Sequence, residues 1–376
     1  MRRIRELDGL RGLAALTVVF FHLYPTAVPF GWAAVDLFFV LSGFLITGII
    51  LDQGDQPHFM RAFYARRSLR IWPIYYLTLV ILLITGSVSA GGCLPFALYL
   101  QNTSFYFMPL GALHGLIFDP DWLILNHTWS LAVEEQFYLI WPGLILFAGR
   151  RRVRTLSLFC LACSIVARQA GYPFTLLITR CDGLALGSLL AAVLDRREVT
   201  SHDAGRTALK PWLLSAYGVL TFLGLWLAWG WRVGRIRLPL SFRLDDPSAE
   251  VFTVSLLAFV VVAWVTVETG HRRLALLRWK PLCDLGTISY GIYLYHAPVL
   301  HCVQAILPRS TPGYRGFEGL FTLTTTLVLA IISWRYLEQP LLKLKHRFEY
   351  GGLPVAERQE TARILSVPTP RVSGPL

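Results

Sequence analysis

Two ionisable side chains lie on one face of the first apolar segment of the sequence. Arg11 and His22 are eleven residues apart, and eleven steps of about 100° return to within about 20° of the starting direction on an α-helix. Asp8 lies within about 40° of His22 in the same projection. Ionisable groups in membrane-crossing segments are costly and by default mark a functional site. We therefore interpret these residues as one functional stripe; the alternative is that Arg11 reaches lipid headgroups and His22 lies in the membrane interface.

A second polar face is predicted in the segment HTWSLAVEEQFYLIWP. Ser130, Glu134 and Tyr138 follow one another at four-residue intervals, so they line one face of a helix. A carboxylate with a hydroxyl group above it and another below it is not the pattern of a packed core. This face is therefore expected to line a water-filled cavity.

Arg67 and Arg70 form a basic pair next to the third apolar segment. At a spacing of three residues they are neighbours on a helix surface. Two planar guanidinium groups held together bind phosphate or diphosphate oxygens well. Taken alone, this stretch is more simply explained as the basic flank that membrane helices carry on their cytoplasmic side.

Further polar side chains fall in or beside other apolar segments, where an isolated one would be costly. Asp36 is expected about one turn below the outer surface, where it needs a partner or water. Two later segments, TRCDGLALGSLL and SYGIYLYHAP, carry the remaining candidates: Arg180, Asp182, Tyr293 and His296.

The elements that must position these residues are membrane helices. The chain has 376 residues, of which 55% are hydrophobic and 15% charged, and its mean hydropathy is +0.52. A soluble domain would have about 25% charged residues. The net charge of +12 comes from short basic clusters between the apolar blocks, as on cytoplasmic loops, so no binding to nucleic acid is expected. Cys160 and Cys163 stand at C-x-x-C spacing, but inside an apolar block with no second cysteine pair or nearby histidine, so no metal or redox site is expected.

We predict an all-α, polytopic bundle of about ten transmembrane helices, with both termini cytoplasmic, in the cell's inner (plasma) membrane. Residues 1–345 are expected to form one transmembrane domain and residues 346–376 a disordered cytoplasmic tail. The segment 89–128 is interpreted as re-entrant or interfacial. The predicted spans are 8–25, 33–51, 71–88, 129–148, 155–171, 174–194, 211–231, 249–268, 284–306 and 317–340.

In their order and spacing, the motifs of the chain resemble the acyltransferase 3 family of integral membrane O-acyltransferases, over about residues 3–345. The motifs are the Arg11/His22 pair and the segments VDLFFVLSGFLIT, RRSLRIWPIYYL, HTWSLAVEEQFYLIWP, RCDGLALG, SYGIYLYHAP and YLEQP. The resemblance implies a protein that takes an acyl group, usually acetyl from acetyl-coenzyme A, and places it on a hydroxyl group. Family members often carry a fused extracytoplasmic SGNH hydrolase domain, and this chain is expected to be the stand-alone form.

The resemblance also implies catalytic roles. His22 is expected to be the general base for the acceptor hydroxyl, because neutral imidazole titrates near working pH. Arg11 is expected to steer the donor or to support the path through the membrane. Asp36 and Glu134 are expected to orient His22 or to stabilise its charged form. A covalent acyl-histidine is the alternative chemistry.

The same resemblance suggests how substrates are held. Arg67 and Arg70 match the family's paired-arginine motif and are expected to bind the phosphates of acyl-CoA. The acceptor is expected to be a hydroxyl-bearing glycan or small molecule. Its predicted contacts are Ser130, Tyr138, Arg180, Asp182, Tyr293 and His296.

Two other functions compete with acyl transfer. A transporter or flippase that exports acylated material would also need a polar stripe across the membrane, but no internal repeat supports it. The second alternative is a structural membrane subunit or a sensor. It gives no reason for the positions of the Arg67/Arg70 pair and of the polar face that contains Glu134 and Tyr138.

Overall fold

The computed structural model describes residues 3–103, 120–195, 247–308, 310 and 312–350. No β-strand occurs in this part of the chain. The helices are α1 (Arg5–Leu23), α2 (Ala34–Gln53), α3 (Phe59–Ile84), α4 (Ala90–Ala97), α5 (Trp129–Ala148), α6 (Val153–Gln169), α7 (Leu177–Val193), α8 (Pro247–Val267), α9 (Lys280–Thr287), α10 (Ser289–Ile306), α11 (Tyr314–Ser333) and α12 (Gln339–Lys343). A π-helical turn, Trp334–Glu338, joins α11 to α12.

The helical membrane bundle that the sequence predicts is confirmed as the fold class. Five described segments are long and apolar enough to cross a membrane: Gly31–Gln53, Phe59–Ile84, Ile124–Ala148, Glu250–Val267 and Tyr314–Arg347. The total number of spans and the side on which the termini lie stay predictions. The predicted span 211–231 lies outside the described residues, as does the part of the predicted tail beyond residue 350.

Two predicted spans differ from the helices in the structure. α3 begins at Phe59 and not at residue 71, because arginine is a good helix former and the helix continues through the basic stretch before the apolar block. The predicted span 284–306 is divided at Ile288 into α9 and α10. α9 also begins earlier than predicted, at Lys280, with a proline in its first turn, where proline is well tolerated.

The described parts of segment 89–128 pack on α3 and on the start of α5. α4 has 8 residues, far fewer than the roughly 20 that cross a bilayer. The side-chain amide of Gln101 donates to the carbonyl of Thr128 at 2.9 Å and to the hydroxyl of Tyr75 at 3.2 Å. The described ends of this segment are therefore tied to each other and to α3.

The apolar core lies chiefly between α2, α3, α5, α7 and α8. α2 and α7 approach each other through glycine: a Cβ atom added to Gly43 would lie 1.9 Å from the carbonyl oxygen of Leu184. In the reverse direction, a Cβ atom on Gly187 would lie 2.0 Å from the carbonyl oxygen of Val40. Small residues let membrane helices pack backbone to backbone in this way. Ser42 and its neighbours are thus held at a fixed place in the bundle.

α1 packs against α9, α10 and α2. Its contact with α9 is also backbone to backbone, because a Cβ atom on Gly286 would lie 1.8 Å from the carbonyl oxygen of Asp8. Close packing along its first half leaves α1 little freedom to rotate. The two ionisable residues Arg11 and His22 are therefore presented in fixed directions at opposite ends of the helix.

Candidate active site

Three histidines from distant parts of the chain meet near the C-terminal end of α1. Nδ1 of His22 lies 3.2 Å from Nε2 of His296 on α10. The ring of His127, which precedes α5, packs edge-on against the ring of His296 with 4.8 Å between centroids. His127 and His296 are buried, whereas His22 is half-buried. His22 is therefore the most accessible imidazole of this histidine cluster (His22, His127 and His296).

Hydrogen bonds determine where the ring protons of His22 and His296 lie. Nδ1 of His22 is 2.9 Å from the carbonyl oxygen of Val18, and Nδ1 of His296 is 2.7 Å from that of Tyr293. A carbonyl oxygen only accepts, so both Nδ1 atoms carry the proton in the neutral rings. The Nδ1–H group of His22 then donates a bifurcated hydrogen bond, to the carbonyl oxygen of Val18 and to Nε2 of His296. Nε2 of His22 keeps an unprotonated lone pair. Such a lone pair is what a general base requires.

A chain of hydroxyl groups links the histidine cluster to α5. The hydroxyl of Tyr293 donates to the carbonyl oxygen of His127 at 2.6 Å and lies 2.6 Å from Oγ of Ser130. Because the tyrosine proton is directed at the carbonyl, the serine hydroxyl is the donor in the second contact. These bonds fix the backbone of His127 beside His296.

A second polar cluster lies further along the same face of α5. Oγ of Ser42 donates to Oε1 of Glu134 at 2.6 Å and accepts from the hydroxyl of Tyr138 at 2.9 Å. The guanidinium of Arg67 lies over the Tyr138 ring, 5.5 Å from its centroid, in the range of a cation–π contact. The face that begins at Ser130 therefore runs from the histidine cluster to the arginines.

The helices enclose a cavity of about 700 Å³ at the N-terminal end of α1. Six cationic side chains and three carboxylates line it, so its formal charge is positive. We call it the basic cavity. Its charged lining consists of Arg3, Arg11, Arg66, Arg67, Arg70 and Lys345, with Asp8, Asp52 and Glu349.

Among the described residues, most of the cations in the basic cavity have no ion-pair partner. Arg3 pairs with Asp8 at 2.7 Å. Within the part of the chain that the structure describes, the other five form no ion pair. Unpaired guanidinium and ammonium groups gathered around a cavity suit a ligand with several negative charges. The lining of the basic cavity therefore suits a ligand that carries phosphate groups.

One wall of the basic cavity is formed by residues 344–350. Arg66 donates to the carbonyl oxygens of Lys345 and Phe348 at 3.3 and 3.1 Å. Its guanidinium also lies over the ring of Tyr350, 5.1 Å from the centroid, and that ring stacks on Phe59. Burial raises the pKa of the Tyr350 phenol, so this side chain adds no negative charge to the cavity. The residues at the start of the predicted tail are thus packed on α3.

Asp36 is engaged away from the histidine cluster. Its Oδ2 pairs with Arg180 of α7 at 2.8 Å, and its Oδ1 accepts from the hydroxyl of Ser255 at 2.7 Å. Both carboxylate oxygens are therefore satisfied, and no hydrogen bond between described residues joins Asp36 to His22. This arrangement joins α2, α7 and α8, with both charged side chains buried.

Asp182 has a similar environment. It pairs with Arg168 of α6 at 3.0 Å, and its other oxygen accepts from the backbone N–H of Gly183 at 3.0 Å. Its side chain is 0% exposed and that of Arg168 is 3% exposed. The ion pair fastens α6 to α7, and it lies apart from the hydrogen-bonded groups around His22.

The structure sorts the predicted site residues into three groups. The histidine cluster and its hydroxyl chain contain His22, Ser130, Tyr293 and His296; the α5 face and the basic cavity contain Arg11, Arg67, Arg70, Glu134 and Tyr138; the buried ion pairs contain Asp36, Arg180 and Asp182.

His127 and Ser42 belong to these clusters, but the sequence did not single them out as site residues. The signal for His127 is its position one helical turn before Ser130; the signal for Ser42 is a polar group in mid-span. Among the described residues, no group of three or more His, Cys, Asp or Glu side chains is placed to hold a metal ion.

The chain is similar to known acyltransferases along most of its length. A family model described as "Acyltransferase domain" matches residues 4–335. Over 366 residues the chain is 27% identical to the peptidoglycan O-acetyltransferase OatA of Listeria monocytogenes. This alignment covers 90% of the chain and 56% of the relative. Over 394 residues the chain is 25% identical to the O-acetyltransferase OatA of Staphylococcus aureus, covering 97% of this chain and 61% of that protein. The chain thus spans little more than half the length of such relatives. No solved structure matches the chain at a significant level.

Proposed function

Because the chain belongs to the acyltransferase 3 family, we propose that it is a membrane O-acetyltransferase that moves an acetyl group from acetyl-coenzyme A to a hydroxyl group of a cell-surface glycan. The observation that carries this proposal is the continuity of α1. One helix presents Arg11 to the basic cavity and His22, with its unprotonated Nε2, to the histidine cluster. The polar face of α5 joins the two ends.

The basic cavity is proposed as the donor site, open to the cytoplasm. Coenzyme A carries a diphosphate and a further phosphate, and it supplies the acetyl group as an activated thioester. Arg67 and Arg70 are neighbours on α3, line the cavity and form no ion pair among the described residues. Their forked guanidinium groups suit the diphosphate. Arg11 lines the same cavity deeper in the bundle, where it interacts electrostatically with Glu134.

The histidine cluster is proposed as the acceptor site, open to the outer side. His22 accepts the proton of the acceptor hydroxyl at Nε2 while the hydroxyl oxygen attacks the thioester carbonyl. An ester C–O bond forms, the C–S bond breaks, and His22 returns the proton to the departing thiolate sulfur. The charged ring keeps its Nδ1 proton shared between the carbonyl of Val18 and Nε2 of His296, which stabilises it.

A covalent route uses the same lone pair. Nε2 of His22 would attack the thioester carbonyl, release the thiolate and carry the acetyl group until the acceptor hydroxyl takes it. Rapid quenching followed by mass spectrometry of the α1 peptide distinguishes the two routes. An acetyl group on His22 that decays when acceptor is added supports the covalent route, and its absence supports proton transfer alone.

The proposed acceptor is a peptidoglycan-type glycan, because a relative is named for that substrate. Purified protein in detergent should transfer labelled acetyl from acetyl-coenzyme A to peptidoglycan fragments. Failure to label any hydroxyl-bearing acceptor, by protein that remains folded, would contradict the proposal. Export of acetylated glycan from vesicles without consumption of acetyl-coenzyme A would instead support the transporter function.

A matched pair of substitutions on α3 tests the donor site. Arg67→Gln removes a charge from the basic cavity, so the KM for acetyl-coenzyme A should rise about tenfold, the worth of one charge-assisted contact. Arg61→Gln removes a charge from the exposed flank of the same helix and should leave that KM unchanged. Equal effects of the two changes would show that the basic cavity is not the donor site.

A further inference from the structure

We propose that Lys345 and Arg66 bind the 3′-phosphate of coenzyme A at the mouth of the basic cavity. The inference rests on the proposed function, because it assumes that coenzyme A enters this cavity. It assigns to the segment 344–350 a part in recognising the nucleotide end of the donor.

The first argument is the crowding of positive charge around Lys345. Its ammonium group is half-buried and interacts with the like charges of Arg66, Arg67 and Arg70. It forms no ion pair or side-chain hydrogen bond among the described residues. Holding four cations together in a half-buried place is unfavourable. A bound anion with several negative charges would remove that repulsion.

The second argument is the order of the cations along the cavity. Arg67 reaches inward, over the ring of Tyr138 on α5. Arg66 lies at the other side, against Tyr350 and the carbonyl oxygen of Phe348. The thioester has to point inward, because the acceptor base is His22. The nucleotide end of the donor therefore remains at the mouth, and its 3′-phosphate is the phosphate farthest from the thioester.

The third argument is the number of donors still available at the mouth. Arg66 uses one terminal nitrogen, Nη1, for the carbonyl oxygens of Lys345 and Phe348. A guanidinium has five N–H donors, so the remaining ones can reach a phosphate, and the ammonium of Lys345 offers three more. The first of these bonds holds the Arg66 guanidinium against the backbone of Lys345. Glu349 and Asp52 also line the cavity.

The test compares acetyl-coenzyme A with acetyl-3′-dephospho-coenzyme A as donors for the whole chain in detergent. The wild-type protein should show a KM about tenfold lower for the donor that carries the 3′-phosphate, the worth of one charge-assisted contact. Lys345→Gln keeps the carbonyl oxygen that Arg66 binds but removes the charge. It should raise the KM for acetyl-coenzyme A about tenfold, leave that for the dephospho donor within about twofold, and leave kcat unchanged. Lys345→Arg should restore discrimination.

Lys343→Gln is the matched control, because Lys343 is exposed on α12 and does not line the cavity. It should not change either KM. An equal effect of Lys345→Gln on both donors, or no discrimination by the wild-type protein, would overturn the inference.

A binding measurement separates this inference from the proposed function. Coenzyme A should raise the melting temperature of the wild-type protein more than 3′-dephospho-coenzyme A does, with no acceptor present. Lys345→Gln should abolish that difference. If the difference is present but no acetyl group is transferred, the proposed reaction is wrong and the phosphate site stands. If acetyl is transferred but the difference is absent, the phosphate site is wrong.

Discussion

Nδ1 of His22 lies 3.2 Å from Nε2 of His296, although the two residues are 274 positions apart in the sequence. The carbonyl oxygen of Tyr293 holds the proton of His296 on Nδ1 and so makes its Nε2 an acceptor. His22 in turn keeps its own proton on Nδ1. A base whose proton position is set by a third group is a recurring arrangement in nucleophilic and acid–base catalysis. Here the carbonyl oxygen of Val18 and the imidazole of His296 both face the Nδ1 proton of His22. Four predictions concern this arrangement and the packing around it.

His22→Ala should reduce acetyl transfer by about 10²–10⁴-fold, the usual contribution of a positioned base. Turnover of labelled acetyl-coenzyme A by purified protein measures the effect, and the melting temperature in detergent checks the fold. His301→Ala is a suitable control, because His301 is exposed on α10 and should retain full transfer. Wild-type rates from the His22 variant would remove this residue from the reaction.

His296→Phe should lower kcat about tenfold or more while the KM for acetyl-coenzyme A stays within about twofold. Phenylalanine keeps the shape of a flat ring but cannot accept the Nδ1 proton of His22, so His22 loses one of the two acceptors that orient its ring. Separate determination of kcat and KM distinguishes positioning from donor binding. A variant with raised KM and normal kcat would instead assign His296 to substrate binding.

Asp36→Asn should destabilise the protein by about 3–5 kcal/mol, because it leaves Arg180 buried without a counter-charge. Melting in detergent should show this loss, and the double variant Asp36→Asn/Arg180→Gln should recover much of it. Asp284→Asn provides the contrast: the Lys280–Asp284 side chains are 80% and 61% exposed, so that pair should be worth less than about 1 kcal/mol. Unchanged stability together with lost catalysis would support the catalytic role that the sequence predicts for Asp36.

Gly43→Ala should separate α2 from α7 and destabilise the protein by about 1–3 kcal/mol, the usual cost of overpacking. The added methyl group has no room beside the carbonyl oxygen of Leu184. Gly143→Ala on α5 meets nothing within 4 Å and should be neutral or slightly stabilising, since alanine favours helix. Melting curves of both variants give the comparison, and equal curves would mean that α2 and α7 are not held at this point.

The helices were predictable because each apolar block is long enough to be recognised alone. The bounds of α5, for example, agree with the predicted span 129–148, and the four-residue spacing of its polar residues does place them on one face. Helical periodicity is a local property, so it can be read from one segment without knowing which helices pack against it.

The side-chain contacts between different helices could not be predicted from this periodicity. The partner of Asp36 is Arg180, and that of His22 is His296; both depend on which helices are adjacent, which no local spacing reveals. His127 was missed for a related reason. It lies in a 3₁₀ turn just before α5, outside any span, and only packing brings its ring against the ring of His296.

The π-helical turn Trp334–Glu338 determines how α12 and the residues 344–350 are rotated about the helix axis relative to α11. Relative to a continuous α-helix, a π turn accommodates one extra residue, which rotates the downstream chain by about 100°. The extra rotation decides which side of the segment 344–350 faces Arg66. Deleting one residue from this turn would not change the identity of the downstream side chains. It would rotate them about the helix axis, so that Lys345 would point in another direction. The number of residues in the YLEQP region, as well as their types, therefore affects which side chains line the basic cavity.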